Sequence, residues 1–176
     1  MTIAAIDNID THSDPDAYFF EELTFIDSSF LHQSDYFDSI FLSLKNRGYV
    51  RDSFLPAIKQ REKLYPTALP THPYVVALPH TDTEHVIRPF ICVTRLYHEI
   101  TWHEMANDDN ELKAKFIFLL GFIDKNHHIT LLQTLMECLS DEHFIEEMNQ
   151  APTPASLVKL LKSAITINNN NKENVK

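Results

Sequence analysis

Glycine is nearly absent from this chain, which contains only Gly48 and Gly121 among its 176 residues. The phosphate-binding loops of dinucleotide enzymes and of P-loop nucleotide hydrolases each require at least two closely spaced glycines. Gly48 and Gly121 lie far apart in the sequence. The chain therefore belongs to neither of these classes of nucleotide enzyme.

Basic clusters, long apolar runs and paired cysteines are missing as well. The formal net charge is -10 and no group of Lys and Arg residues stands out, so the electrostatic footprint of a nucleic-acid-binding protein is lacking. No apolar run approaches the roughly 18 residues of a membrane-spanning helix, and residues 1–16 are polar and acidic, unlike a signal peptide. Cys92 and Cys138 form no Cys-x-x-Cys pair, which indicates reduced thiols. We therefore expect a cytoplasmic protein with no nucleic-acid partner and no direct membrane insertion.

The spacing of apolar residues predicts two helices in the first part of the chain, after an extended segment over Phe19–Phe30. In the first helix apolar side chains recur at helical spacing over residues 37–44. Ser34 is expected to cap this helix and Gly48 to close it. The second helix is predicted over about Asp52–Lys63.

The middle of the chain predicts a sheet, because three runs are rich in aromatic and branched residues. They are Val75–Leu78, Phe90–Tyr97 and Leu112–Phe122, with an acidic loop expected over Asn107–Glu111. Three further helices are predicted from about Asn126, over Asp141–Met148 and over Thr153–Ser163.

Helices therefore precede and follow the strands, which predicts a single-domain α/β fold in which a mixed β-sheet is flanked by helices on both sides. The folded domain is expected to span residues 17–165. Residues 1–16 are predicted to be a flexible lead, and residues 166–176, which include a run of asparagines, a disordered tail,.

His80 is the first candidate for chemistry, because an apolar strand delivers it into a turn. Pro79 withholds an amide donor and so ends the strand directly before it. A neutral imidazole has one free nitrogen lone pair near pH 7, so it can act as a nucleophile, a base or a metal ligand. A metal site would use His80, Asp82 and His85, although their spacing is not specific. A hydrolase triad is disfavoured, since no serine or cysteine lies at a recognisable nucleophile turn.

Three motifs together identify a family resemblance. In chain order they are Arg61–Thr67 (REKLYPT), Val76–Asp82 (VALPHTD) and Asn126–Ile129 (NHHI). They resemble the IIA component of the sugar phosphotransferase system, in the type 2 superfamily of fructose and mannitol components. The Pro-His-Thr-Asp form is most similar to the galactitol-type branch of that superfamily.

The resemblance implies a phosphohistidine carrier that needs no cofactor and no metal. Such a carrier accepts a phosphoryl group from phosphocarrier HPr and passes it to a cysteine of a IIB component, which serves a IIC permease in sugar uptake. By the motif match, His80 is the phosphorylated residue, Arg61 the active-site arginine and His128 the second active-site histidine. His127 competes with His128 for that role, and the following Ile129 favours His128.

The chemistry of phosphoryl transfer fits these residue types. Transfer needs in-line positioning and neutralisation of charge on the phosphoryl oxygens, and little covalent work from the protein. Arg61 offers a planar fork that stays charged, and His128 lies at the start of a predicted helix, where an anion is favoured. Thr81 and Asp82 follow the nucleophile directly and are candidates for steering its tautomer or for contacting a partner.

Two alternatives to a transport carrier stay open at this point. Related IIA domains regulate partner proteins through their phosphorylation state, without delivering phosphate to a sugar. A metal-dependent enzyme built on His80, Asp82 and His85 is the other alternative.

Overall fold

A computed structural model of the protein describes residues 14–125 and 128–175. Within these residues the chain forms five β-strands and five α-helices. The strands are β1 (Phe19–Ser28), β2 (Ala68–Leu69), β3 (Val75–Ala77), β4 (Phe90–Glu104) and β5 (Asn107–Gly121). The helices are α1 (Gln33–Asn46), α2 (Phe54–Leu64), α3 (Ile129–Leu139), α4 (Glu142–Gln150) and α5 (Pro154–Glu173). The predicted α/β fold, with one mixed sheet between helices, is confirmed.

The sheet is mixed because its strands pair in both directions. β1 runs parallel to the first half of β4, and β4 forms a long antiparallel hairpin with β5. β3 is parallel to β5 and antiparallel to β2, whose first residue also reaches the far end of β4. The carboxyl ends of β3 and β5 therefore meet at one edge of the sheet.

Both faces of the sheet are buried, as the alternation of side chains along β5 shows. Phe116, Phe118 and Leu120 pack into one core, beneath α3, α4 and α5. Ile117 and Leu119 point the other way, into a second core beneath α1 and α2. This two-sided burial explains why β5 reads as a continuous apolar run instead of an alternating one.

The ends of α1 follow simple capping rules. Gly48 has a φ of +80°, the left-handed conformation that glycine adopts readily after a helix, and its N–H donates to the carbonyl of Lys45,. At the other end the cap is His32, not the predicted Ser34. The backbone N–H of His32 donates to the Asp35 carboxylate at 3.1 Å.

The acidic loop predicted over Asn107–Glu111 is wrong, because these residues belong to β5. The chain turns at Met105 and Ala106, and Ala106 has a φ of +62°. Asn107 and Asn110 both donate to the Glu104 carboxylate, at 3.2 and 2.8 Å. Pairing with β4 and these side-chain bonds override the low strand propensity of Asn and Asp.

The disordered tail predicted over residues 166–176 is also wrong where the structure describes it, since α5 continues to Glu173. Its polar residues bind α3: Asn169 accepts from the Thr134 hydroxyl at 2.9 Å, and Lys172 lies 3.1 Å from the Glu137 carboxylate. Of the lead predicted over residues 1–16, residues 1–13 lie outside the described part. Asp14 caps a short 3-10 turn over Pro15–Ala17.

No helix in the described part of the chain is long and apolar enough to cross a membrane.

Gly121, the last residue of β5, lies opposite Phe90 in the β4–β5 ladder. A Cβ atom at this position would overlap the Phe90 ring, which is fully buried between Tyr49 and Phe54. We therefore predict that Gly121→Ala lowers the free energy of unfolding by about 1–3 kcal/mol, the usual cost of overpacking. Urea unfolding measures this change. In a Phe90→Leu background the same substitution should cost less than about 1 kcal/mol, and an equal cost in both backgrounds would show that the ring is not the obstacle.

Candidate functional site

His80 lies just beyond β3, where the chain makes a last bridge to Leu120 of β5. Its Nδ1 lies 2.9 Å from the carbonyl oxygen of Leu78. A carbonyl only accepts, so Nδ1 carries the hydrogen and Nε2 keeps its lone pair. The side chain is half-buried, and Nε2 has no hydrogen-bond partner among residues 14–125 and 128–175. This nitrogen is available to an incoming electrophile.

His128 lies directly before the first turn of α3, in the N-cap position. Its Nδ1 lies 2.6 Å from the carbonyl oxygen of Asp124. The imidazole stacks flat on the Phe122 ring, with the centroids 4.0 Å apart and the planes inclined by 8°. Both contacts fix the ring and, as at His80, leave Nε2 as the free nitrogen. Its competitor His127 lies outside the described residues.

The parallel pairing of β3 with β5 brings the two histidines to one edge of the sheet. The N–H of Leu120 donates to the carbonyl of Pro79 at 2.9 Å, immediately before His80. β5 ends one residue later, and Phe122, which holds the His128 ring, follows. The same edge therefore presents both imidazoles.

Arg61 lies in the last turn of α2, with its guanidinium 4.5 Å above the centroid of the Tyr65 ring. The side chain is exposed, and within the described residues it makes no hydrogen bond and no ion pair. Residues 65–67 then lead into β2. The N–H of Leu78 donates to the carbonyl of Thr67 at 3.2 Å. This bond brings the segment after α2 to the edge of the sheet at which His80 lies. No direct contact joins Arg61, His80 and His128 in this part of the chain.

Thr81 and Asp82 directly follow His80 in the chain. Thr81 is half-buried, Asp82 is exposed, and neither side chain has a hydrogen-bond or ion-pair partner among the described residues. The tautomer of His80 is held by the Leu78 carbonyl instead. His85 directs its Nδ1 to the Ser53 hydroxyl at 2.8 Å. Over residues 14–125 and 128–175, no three His, Cys, Asp or Glu side chains are grouped closely enough to hold a metal ion.

Glu62, the neighbour of Arg61, is a buried carboxylate with only 3% of its surface exposed. Its Oε1 accepts from the backbone N–H of Thr67 at 2.9 Å and from the indole N–H of Trp102 at 2.5 Å. The Thr67 hydroxyl lies 3.0 and 2.9 Å from its two oxygens. Burial raises the pKa of Glu62 from 4.5 to about 7, although the hydrogen bonds from Thr67 and Trp102 oppose this shift,.

An apolar surface adjoins His128 along the exposed side of α3. A groove of about 570 Å³ is lined there by His128, Ile129, Leu132, Gln133, Met136 and Glu137. Ile129 is 51% exposed, and Ile123, in the loop before the helix, is 54% exposed. Contiguous exposed apolar groups of this kind are candidates for a protein-docking surface.

Sequence reasoning missed four groups that hold the candidate site together: Glu62, Tyr65, Phe122 and the carbonyl of Leu78. Trp102 is fully buried in the second core, and its indole N–H also binds Glu62. The Leu78 carbonyl left no signal, because every residue has a main-chain acceptor. Phe122 could not be paired with His128 before the loop between them was known.

For Glu62 and Tyr65 a signal was present in the helical spacing of α2. Phe54, Ile58 and Glu62 recur at intervals of four residues, and the first two are buried, so Glu62 had to share their face,. Tyr65 likewise lies four residues after Arg61, the spacing at which side chains meet on a helix,.

Known proteins resemble this chain in sequence and in fold. The family model described as phosphoenolpyruvate-dependent sugar phosphotransferase system, EIIA 2, matches residues 17–164. The galactitol-specific EIIA component of Escherichia coli (strain K12) is 23% identical over 124 residues, which are 70% of this chain and 82% of that protein.

Solved structures of related proteins share the fold. The complex of enzyme IIAMTL and phosphorylated enzyme IIBMTL from Escherichia coli matches with a TM-score of 0.66 and 21% identity, over 81% of this chain and 95% of that one. The nitrogen regulatory protein IIA-Ntr from Neisseria meningitidis matches with a TM-score of 0.69 and 17% identity, over 84% and 97%.

The raised pKa of Glu62 predicts how stability depends on pH. The folded protein binds this proton more tightly than the unfolded chain, so the Glu62 contribution is complete below about pH 4.5 and is lost as pH rises towards 7,. Glu62→Gln removes the titration and keeps acceptor and donor positions for Thr67 and Trp102. Between these pH values the variant should therefore gain stability relative to wild type, by on the order of 3 kcal/mol.

Urea unfolding of both proteins between pH 4.5 and 8 measures this difference. Glu111→Gln, which removes an exposed carboxylate from β5, is the matched control for the loss of one charge. A constant stability difference between Glu62→Gln and wild type across this range would contradict the prediction.

Proposed function

Because the chain belongs to the EIIA 2 family of the phosphoenolpyruvate-dependent sugar phosphotransferase system, we propose that it carries its phosphoryl group on Nε2 of His80. A family member of this kind is a phosphotransferase component that passes a phosphoryl group between proteins. The observation that supports His80 is its hydrogen bond from Nδ1 to the Leu78 carbonyl, which leaves Nε2 unprotonated and unpaired in a half-buried position.

The donor is phosphocarrier HPr and the acceptor is a cysteine of a IIB component, which passes the group on to a sugar at the IIC permease. In the first step the Nε2 lone pair attacks phosphorus in line, and the bond from phosphorus to the HPr histidine breaks with its electron pair staying on that histidine. In the second step the cysteine thiolate attacks phosphorus and His80 recovers its lone pair. Since phosphoenolpyruvate is an intracellular metabolite, this exchange is assigned to the cytoplasm.

Arg61 and His128 are proposed to stabilise the phosphoryl oxygens. Arg61 keeps all its donors unpaired in the described structure, and its stacking on Tyr65 restricts the side chain. A bidentate contact with two oxygens therefore needs little reorganisation. His128 has its Nδ1 hydrogen bound to the Asp124 carbonyl, so it can donate from Nε2 only when doubly protonated,. A neighbouring phosphoryl dianion favours that protonated form.

The docking surface for both partners is proposed to include the apolar groove of α3 and the segment Thr81–His85. HPr and IIB must each bring a reacting atom in line with the same Nε2, so their footprints on this protein overlap. Asp82 fits the rim of this surface better than its centre, because a carboxylate next to the phosphoryl group would repel it. The solved complex of a similar IIA protein with phosphorylated IIB supports this mode of use.

A regulatory role through the phosphorylation state is the second candidate, because IIA-Ntr shares the fold. The galactitol-specific relatives favour the transport role. The genes next to the one for this protein would distinguish the two roles. A IIB component and a permease encoded there support transport, and their absence supports regulation.

We predict that incubation with phosphoenolpyruvate, enzyme I and HPr adds one phosphoryl group, about 80 Da, to His80. The adduct should be acid-labile, as expected of a phosphoramidate. His80→Gln should stay folded and accept no phosphoryl group. The matched control is His143→Gln, which removes an exposed histidine of α4 and should label like wild type. Intact-mass analysis measures the adduct, and normal labelling of His80→Gln would refute the assignment.

Arg61→Ala should slow transfer from phospho-HPr by about two to four powers of ten, as in other arginine-assisted phosphoryl transfers. Arg61→Lys should recover only part of the rate, because an ammonium is a point charge without the bidentate fork. Arg88→Ala is the matched control, since Arg88 also stacks on a tyrosine, at 4.4 Å from the Tyr49 centroid. Rapid-quench kinetics measure the transfer rate of each variant. An Arg61→Lys rate equal to that of wild type would contradict the prediction.

A further inference from the structure

We propose that Glu62 is a positioning residue that sets where Arg61 lies relative to His80. The proposal rests on the function proposed above, because it concerns the geometry of the same phosphoryl site. Glu62 does not touch the reacting atoms. It binds the chain segment that joins the helix of Arg61 to the strand of His80.

The first link runs from α2 to β2. Glu62 follows Arg61 directly, and its carboxylate accepts from both the backbone N–H and the hydroxyl of Thr67, at 2.9 to 3.0 Å. These bonds tie the last turn of the helix to the residue directly before β2. Trp102 of β4 donates to the same carboxylate oxygen as the Thr67 N–H, at 2.5 Å.

The second link runs from Thr67 to His80. The carbonyl of Thr67 accepts from the N–H of Leu78 at 3.2 Å, and Ala68 pairs with Ala77 in the β2–β3 ladder. The carbonyl of Leu78 in turn accepts from Nδ1 of His80 at 2.9 Å. A continuous series of hydrogen bonds therefore joins the residue next to Arg61 to the imidazole of His80.

The chemistry of Glu62 supports a positioning role over a packing role. Burying a carboxylate is unfavourable, and an apolar side chain of similar volume stabilises a core at least as well. A carboxylate supplies directional acceptors, which an apolar side chain lacks. In-line transfer depends on placement within a fraction of an ångström, so the direction of these bonds matters for the rate. Trp102 belongs to the second core, whereas Thr67 also binds Leu78, whose carbonyl holds the imidazole of His80.

The test is a double-mutant cycle on the maximal rate of transfer from phospho-HPr. Glu62→Leu, Glu62→Gln, Thr67→Val and Trp102→Phe are each made with Arg61 present and in the Arg61→Ala background. Urea unfolding confirms that every variant is folded under the assay conditions. If Glu62 acts by placing Arg61, its loss has no further effect once Arg61 is gone.

With Arg61 present, Glu62→Leu should lower the maximal rate at least about tenfold and Thr67→Val about threefold, with a smaller change in KM. In the Arg61→Ala background, Glu62→Leu and Thr67→Val should each lower the maximal rate by less than about twofold. Glu62→Gln retains acceptors and should transfer within about twofold of wild type, a rescue by the conservative variant. Trp102→Phe leaves the Thr67 bonds in place and should also stay within about twofold.

The proposal is overturned if folded Glu62→Leu transfers like wild type, or if it is slowed by the same factor in both backgrounds. It is also overturned if Trp102→Phe slows transfer as much as Thr67→Val, which would indicate a general effect on the core. If Glu62→Leu does not fold, the transfer rates of Thr67→Val with and without Arg61 decide the proposal. A Thr67→Val rate equal to wild type then overturns it.

Failure of the proposed function has a different signature, because wild type itself would then take no phosphoryl group on His80. In that event the backbone amide chemical shifts, measured by NMR, test whether Glu62 positions Arg61 and His80. The amide shifts of Arg61 and His80 should move in Glu62→Leu or Thr67→Val and stay in place in Trp102→Phe, and unmoved shifts in the first two variants would refute it.

Discussion

The parallel pairing of β3 with β5 is the constraint on which the site depends. The carbonyl of Pro79 accepts from the N–H of Leu120, which keeps the chain paired with β5 at this point. Pro79 has no N–H of its own to donate, so the regular hydrogen bonding of β3 ends here. The chain is thus released from the sheet at His80, where a side chain can be partly exposed while its backbone is still anchored. The same register places the end of β5, and with it Phe122 and His128, at the same edge.

Arg61 comes to this edge by an independent route, which is why the connection after α2 matters. Residues 70–74 bulge out between β2 and β3, and the short pairing of Ala68 with Ala77 closes the base of this loop. The loop includes Pro70 and Pro73. Because pairing is restored beneath it, its length and composition do not decide where Thr67 meets Leu78. The positions of Arg61 and His80 therefore depend on the pairing beneath the loop and not on the residues within it.

The sequence predicted the secondary structure around the candidate site better than the contacts that hold its side chains. The helical face of α1 and the strand ending at His80 follow from local periodicity, and that part of the prediction is confirmed. The acidic segment over Asn107–Glu111 and the polar end of α5 were wrong, since in both cases long-range pairing overrides local propensity,. The Leu78 carbonyl could not be predicted, because main-chain acceptors carry no sequence signal. Glu62 could have been, since its spacing from Ile58 places it on a buried face.

Main-chain carbonyls, not carboxylates, hold the two histidines, and electrostatics gives a reason. A carboxylate on Nδ1 would orient an imidazole equally well, but it would place a negative charge within about 5–6 Å of a phosphoryl dianion, in a chain whose net charge is already -10,. The carbonyls of Leu78 and Asp124 fix the tautomer and orientation of both rings as neutral dipoles. Under the function proposed above, a histidine that must both receive and release a phosphoryl dianion gains from this neutral partner.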